Sequence, residues 1–188
     1  MTDDTGAEMP AEADVDDAPT AEVPFVPDHP VLAALAARHP DVRWEERVPV
    51  DGPYQPIAHV ERTDLVAFAA SAKELGFETF IDLCGVDHLG GRPRFEVVVE
   101  LLDMKDRLRL RIRVPVPGTD PIVPSLTPVF AGADFYERET WDLFGIDFEG
   151  HPELTRILLP DDWEGHPLRK DYSVGSVPVQ FKGAHKAT

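Results

Sequence analysis

Residues 95–114 read FEVVVELLDMKDRLRLRIRV, and this stretch commits the chain to a fold more firmly than any other. Phe95, Val97, Val99 and Leu101 alternate with Glu96, Val98, Glu100 and Leu102. Beyond a turn at Asp103–Asp106, Leu108, Leu110, Ile112 and Val114 alternate with Arg107, Arg109, Arg111 and Arg113. A period of two sends alternate side chains to opposite faces of a strand, so the stretch is a half-buried antiparallel pair. With Asp103 opposite Asp106, Glu96 faces Arg113 and Glu100 faces Arg109 on the outer surface. Such cross-strand ion pairs contribute about 0.2–1 kcal/mol each. The arginine row therefore reads as a solvated or interface-facing sheet surface rather than an anion-binding stripe. In this register Arg107 and Arg111 lack a facing acid and are free for an acidic partner.

Working outward, Phe77–Val86 reads as a strand that precedes the pair. A helix comes before it, started by Thr63 and Asp64, with Leu65, Phe68, Ala69, Ala72 and Leu75 on one face and Gly76 ending it. Two shorter strands, Val42–Val48 and Pro56–Glu61, flank turn chemistry at Asp51-Gly52-Pro53. The first helix has Asp28 as N-cap, Pro30 in its first turn, a stripe of Val31, Leu32, Leu35 and Ala36, and Pro40 as its stop. On the C-terminal side, Ala133–Phe144 reads as a helix closed by Gly145. The expected fold is α+β, with helices packed on one face of a mixed, mostly antiparallel sheet and an extended C-terminal arm. The divisions are a disordered acidic tail (1–27), the α+β domain (28–145) and the arm (146–188).

Composition narrows the function. The 188 residues are of single-domain length. The one cysteine, Cys84, closes no intramolecular disulfide and cannot hold an iron–sulfur cluster, which takes about four thiolates. The longest uncharged run, Pro121 to Ala133, carries three prolines and falls short of the roughly 20 apolar residues of a membrane span. The N-terminus lacks a basic region followed by an apolar core, so a cytoplasmic location is expected. Residues 1–28 hold nine acids and no Lys or Arg within a net charge of −17. That balance argues against nucleic acid, whose phosphates require basic side chains.

Nucleotide and nucleophile motifs are absent: no Gly-x-Gly-x-x-Gly after a strand, no Gly-Lys-Ser/Thr loop, no Gly-x-Ser-x-Gly elbow. Asp82, Cys84, Asp87 and His88 form the one dense polar cluster. All are zinc-ligand types, and a free-standing metal-dependent enzyme is the reading they would carry. Alternation puts Asp82 and Cys84 on one face and Asp87 on the other, so a structural strand end is the preferred reading.

The helix over 133–144 is unusual in composition. Its aromatics Phe135, Tyr136, Trp141 and Phe144 lie on more than one face among Glu137, Arg138, Glu139 and Asp142. Arg138 and Asp142 stand one turn apart and can pair. A helix apolar on several sides is covered on several sides, and one small sheet covers only one, so a partner surface is expected. The arm beyond it has Pro152, Pro160, Pro167 and Pro178, yet carries Ile146, Phe148, Leu154, Ile157, Leu158, Leu159 and Trp163. A disordered segment is poor in such residues.

These residues also carry a family resemblance. Glu137-Arg138-Glu139, Asp142, Phe144-Gly145, Phe148, His151-Pro152, Leu154, Arg156-Ile157-Leu158 and Pro167-Leu168-Arg169-Lys170-Asp171 resemble, in order and spacing, the signature of the C-subunit family of NADH–quinone oxidoreductase, respiratory complex I. The resemblance spans roughly residues 30–175 and is sharpest over 133–172. The chain departs from the pattern at Thr155 (usually basic), Phe135 (commonly Trp) and Ser173 (frequently Pro). The resemblance implies a cofactor-free structural subunit of the peripheral arm of a proton-translocating complex, on the cytoplasmic face of the membrane. Its neighbours would be the quinone-site D-subunit and the cluster-bearing B- and I-subunits. The complex as a whole would use NADH, FMN, iron–sulfur clusters and a quinone. Partner-interface candidates are Glu137, Arg138, Glu139, Asp142, Phe144, Phe148, His151, Arg156, Leu168, Arg169, Lys170 and Asp171. A purely internal role for Glu137-Arg138-Glu139 is the competing reading. The equivalent component of a membrane-bound hydrogenase or coenzyme F420 dehydrogenase, and an adaptor unrelated to respiration, are alternatives at the level of the whole chain.

Overall fold

A computed structural model of the chain describes residues 27–47, 55–91 and 93–173. The acidic tail, the Asp51-Gly52-Pro53 turn and Pro178 lie outside these residues, apart from Pro27 and Asp28. The elements run α1 (Pro30–Arg38), β1 (Arg43–Arg47), β2 (Gln55–His59), α2 (Leu65–Glu74), β3 (Thr79–Asp87), β4 (Phe95–Asp103), β5 (Leu108–Val116), β6 (Ile122–Pro124), α3 (Ala133–Phe144) and β7 (Asp147–Glu149).

β1 to β5 form one sheet in the order β1-β2-β5-β4-β3, antiparallel at every pairing except β2 with β5. The inward side chains of the hairpin, Phe95, Val97, Val99, Leu101, Leu110, Ile112 and Val114, are fully buried. Leu32 and Leu35 of α1 and Leu65, Phe68, Ala69 and Ala72 of α2 meet them on the same face. Each large side chain so buried stabilises the fold by about 1.5–3 kcal/mol. The α+β reading therefore holds, with a mixed, mostly antiparallel sheet.

The hairpin register differs from the sequence expectation. Asp103 faces Leu108, not Asp106. The buried Asp103 carboxylate accepts the backbone N–H groups of Lys105 and Asp106, and Arg107 takes a left-handed φ of 53°. The loop thus consumes four residues, 104–107, and moves the pairing by two. Glu100 consequently faces and pairs with Arg111, while Arg109 faces Leu102. Arg111 is not free for a partner. The Glu96–Arg113 pair survives as a diagonal contact, with N···O distances of 2.6 and 2.8 Å. A smaller difference concerns α1, where His29, rather than Asp28, occupies the N-cap and makes no side-chain cap.

α3 packs beside β3, where Thr140 and Phe144 lie against Gly85 so closely that a Cβ there would sit 2.9 Å from the Phe144 ring. β6 and β7, each three residues long, pair in parallel and tie the segment before α3 to the segment after it. Val123, Leu126, Phe130, Ile146 and Phe148 are buried there and extend the core under the helix.

Candidate functional site

Glu137, Arg138 and Asp142 of α3 point to the chain's own loops and arm. Glu137 is fully buried; its carboxylate accepts the Ser125 hydroxyl at 2.7 Å and the Leu126 N–H at 2.6 Å. Burial pushes its pKa above the usual carboxylate value, and those two hydrogen bonds only partly oppose the effect. Asp142, one and a half turns on, is also fully buried. One carboxylate oxygen accepts the consecutive N–H groups of Ile157, Leu158 and Leu159 at 2.9–3.1 Å, and the other accepts Arg156 at 2.5 Å. Burial alone would raise the Asp142 pKa, but the N–H groups of Leu159 and Leu158, the Arg156 guanidinium and the Ile157 N–H together hold it down.

Arg138 does not pair with Asp142. It donates instead to the Thr155 carbonyl and hydroxyl and to the Arg156 carbonyl, at 3.1–3.2 Å. Arg156 in turn reaches the carbonyls of Trp163 and Gly165 and stacks over Trp141. His166 lies 2.9 Å from the Asp142 carbonyl through Nδ1, which must be the protonated nitrogen because a carbonyl only accepts. His151, whose side chain is fully buried, accepts the Glu153 N–H at Nδ1 and reaches the Asp134 carbonyl with Nε2. The arm thus lies along α3, and it is the arm that covers the second side of the helix, the side for which a partner was expected.

The far end of the arm is fastened to the sheet. Asp87, at the end of β3 and 3% exposed, accepts the Lys170 N–H at 2.8 Å and the Nε and Nη2 groups of Arg94 at 3.1–3.2 Å. Arg94 also meets Asp171 at 2.8 Å, and Asp171 is held by Arg169. Both guanidinium groups stack on the ring of Phe95, at 4.7 and 5.2 Å. Against the upward push of burial, Arg94 and the N–H groups of Lys170 and Leu89 bring Asp87 down to about 2. Arg169 and then Arg94 bring Asp171 down to about 2.

The interface candidates therefore divide. Glu137, Asp142, Phe148 and the side chains of His151 and Arg156 face inward and bind within the chain. Arg138, Arg169, Lys170 and Asp171 hold the arm, and Phe144 is half-buried against β3. Glu139 and Leu168 remain exposed, with Leu168 at 51%. Phe135 at 62% and Leu158 at 60% are exposed as well; positions 135, 138, 139 and 142 share one side of α3, and Leu158 is held to Asp142 through its N–H. Arg94 and Ser125 carry no signal in the sequence, and Asp87 appears there only as part of the 82–88 polar cluster, as a strand end or metal ligand. The Ser125–Glu137 bond spans 12 residues and the Asp87–Lys170 bond 83, and no local spacing announces either. Among the described residues no group of three His, Cys, Asp or Glu side chains is placed to hold a metal ion. In the 82–88 cluster Asp87 is committed to Arg94 and Lys170, and burial and Asp82 push the Cys84 thiol up.

The geometry is that of a small sheet domain with its own C-terminal segment clasped around one helix. A family model described as "Respiratory-chain NADH dehydrogenase, 30 Kd subunit" matches residues 58–177, and the chain belongs to that family. The chain is 52% identical over 118 residues to the NADH-quinone oxidoreductase C-subunit of Roseiflexus sp. (strain RS-1), covering 63% of this chain and 68% of that protein. It is 49% identical over 125 residues to the protein of the same name from Herpetosiphon aurantiacus, covering 65% and 73%. Among solved structures it resembles the trypsin-resistant fragment of Nqo5, at 34% identity and a TM-score of 0.57 over 66% of this chain and 96% of that one. It shares its fold with a chain of the membrane-bound sulfane sulfur reductase, an archaeal respiratory membrane complex, at 22% identity and a TM-score of 0.67 over 77% and 84%.

Proposed function

We propose that the chain is a structural subunit of the peripheral arm of a proton-translocating NADH–quinone oxidoreductase, with no active site of its own. Its neighbours in this reading are the quinone-site D-subunit and the cluster-bearing B- and I-subunits, on the cytoplasmic face of the membrane. It binds none of the complex's NADH, FMN, iron–sulfur clusters or quinone. Among the described residues no helix is long and apolar enough to cross a membrane, so attachment runs through neighbours.

The observation that carries the reading is the family match over 58–177 together with the exposed apolar flank inside it. Phe135, Ile157, Leu158 and Leu168 are presented on a rigid base: α3 and the arm are cross-linked by Asp142, Arg138 and Arg156. An apolar patch held in one geometry suits a permanent contact. Such a contact fixes the positions of its neighbours, and electron transfer and quinone binding tolerate little displacement.

The test is an affinity pull-down of tagged full-length chain from gently solubilised membranes of its own source. NADH–quinone reductase activity in the eluate, with co-eluting subunits, is the expected result. A partnerless protein, or an assembly driven by a different electron donor, would overturn the assignment.

A further inference from the structure

Between the edge strand β3, α3 and the end of the arm runs a groove of about 300 Å³, bordered by the exposed Leu168. Its floor is apolar, made by Leu143, Phe144 and Leu168. Carboxylates stand on opposite sides of it, Asp82 on β3 and Glu139 on α3. Among the described residues neither the half-buried Asp82 nor the exposed Glu139 has an ion-pair or hydrogen-bond partner, whereas Asp87, Glu96, Glu100, Glu137 and Asp142 all do. Arg111, the nearest basic group on the outer sheet face, is engaged by Glu100. Cys84 lies in the same groove, and its thiol is pushed up by burial and then by Asp82, with Arg111 opposing and Glu100 and Glu139 adding to the effect. The field of these carboxylates is therefore felt inside the groove, with Arg111 opposing it.

Two unpaired carboxylates flanking an apolar floor select against most occupants. An apolar side chain would desolvate both charges without compensation. An acidic one would add repulsion. A long basic side chain satisfies both halves, with its methylene stem on the apolar floor and its charge between the carboxylates. We propose that this groove receives a lysine or arginine side chain from the neighbouring protein that covers Phe135, Leu158 and Leu168 in the complex. The inference rests on the function proposed above and adds to it the chemistry of the contact.

Cys84 is the only cysteine of the chain, so its alkylation reports on the groove without competition from another thiol of this protein. N-ethylmaleimide labelling is followed by mass spectrometry of this chain, both isolated and within the tagged complex. In the complex, labelling of Cys84 is expected to slow by about tenfold or more, because reagent access is lost. Met104→Cys, on the 68% exposed tip of the β4–β5 hairpin, provides a reference site labelled equally in both. Asp82→Lys combined with Glu139→Lys is expected to lower recovery of the complex by about tenfold, with the isolated chain melting as the wild type does. Asp106→Lys, on the distal hairpin, leaves recovery unchanged.

Equal labelling of Cys84 in the isolated and assembled chain would overturn the proposal, as would wild-type recovery from the charge-reversed variant. Protection of Cys84 that grows with the concentration of the isolated chain would assign the groove to self-association and would also overturn it. Failure of the tagged wild type to bring down any reductase activity is a separate result, which removes the proposed function itself.

Discussion

Asp142 and Glu137 sit one and a half turns apart on the same helix, equally buried, and their environments drive their acidities in opposite directions. Asp142 is met by three N–H groups and a guanidinium, so its charged form is the stable one. Removing it leaves Arg156 and three amides without their acceptor. Asp142→Ala is therefore expected to destabilise the chain by about 3–5 kcal/mol in urea unfolding, with hydrogen exchange at Ile157, Leu158 and Leu159 accelerating first. Glu137 has only two donors and a raised pKa. The native state thus holds a proton more tightly than the unfolded chain, and this group's contribution declines as pH rises above about 4.5 toward the folded pKa. Glu137→Gln can still accept from Leu126 and bond Ser125 without a charge. Denaturation curves across this range should show the variant gaining stability relative to the wild type as pH increases; parallel curves would mean that the Glu137 pKa is the same in the folded and unfolded chain.

The C-terminus of α3 is set by Gly145, at φ 69°, with its N–H on the Trp141 carbonyl. A Cβ at this position would be strained by the backbone and would lie 2.5 Å from the His166 ring. Gly145→Ala is expected to cost at least about 1–2 kcal/mol from the left-handed backbone alone, and more because His166 must leave the Asp142 carbonyl; thermal unfolding measures it. The terminator was visible in the sequence because glycine after an amphipathic run has one common use. The cover of α3 was not. The aromatics at 135, 136, 141 and 144 showed that the helix needed shielding on more than one side, but composition cannot tell a partner's surface from the chain's own arm. The hairpin shows the same boundary. Alternation fixed which faces of β4 and β5 point inward, since a slip of two preserves the pattern. The loop length depended on Asp103 capping two amides and on Arg107 accepting a left-handed backbone, and neither leaves a mark in the period. The pairing of Glu100 with Arg111 instead of Arg109 follows directly. β6 and β7 escaped notice because three-residue strands are too short to show a period.

At the scale of the whole molecule, the arm is fastened along α3 and at Asp87, Arg94 and Asp171. Both carboxyls have pKa values lowered from 3.8 to about 2, so their contribution is complete above about pH 4 and is lost as pH falls toward 2. Small-angle scattering on a descending pH series is expected to show the molecule expanding in that window. Arg94→Gln removes the main partner of Asp87 and the second partner of Asp171, and should move the expansion to higher pH. An unchanged midpoint would mean that the Asp142 cross-links alone hold the arm. The clasp at Asp87 also joins residues 83 positions apart in the chain. During synthesis the sheet, α1 and α2 can assemble as soon as Val116 has emerged, with Arg94 already beside Asp87, yet the carboxylate lacks the N–H of the arm until Lys170 arrives. Chains are made from the N-terminus, and distant contacts close late. A newborn copy therefore passes through an interval in which its core is formed but α3 is still uncovered, and a neighbour or chaperone arriving in that interval meets a surface that the finished protein no longer shows.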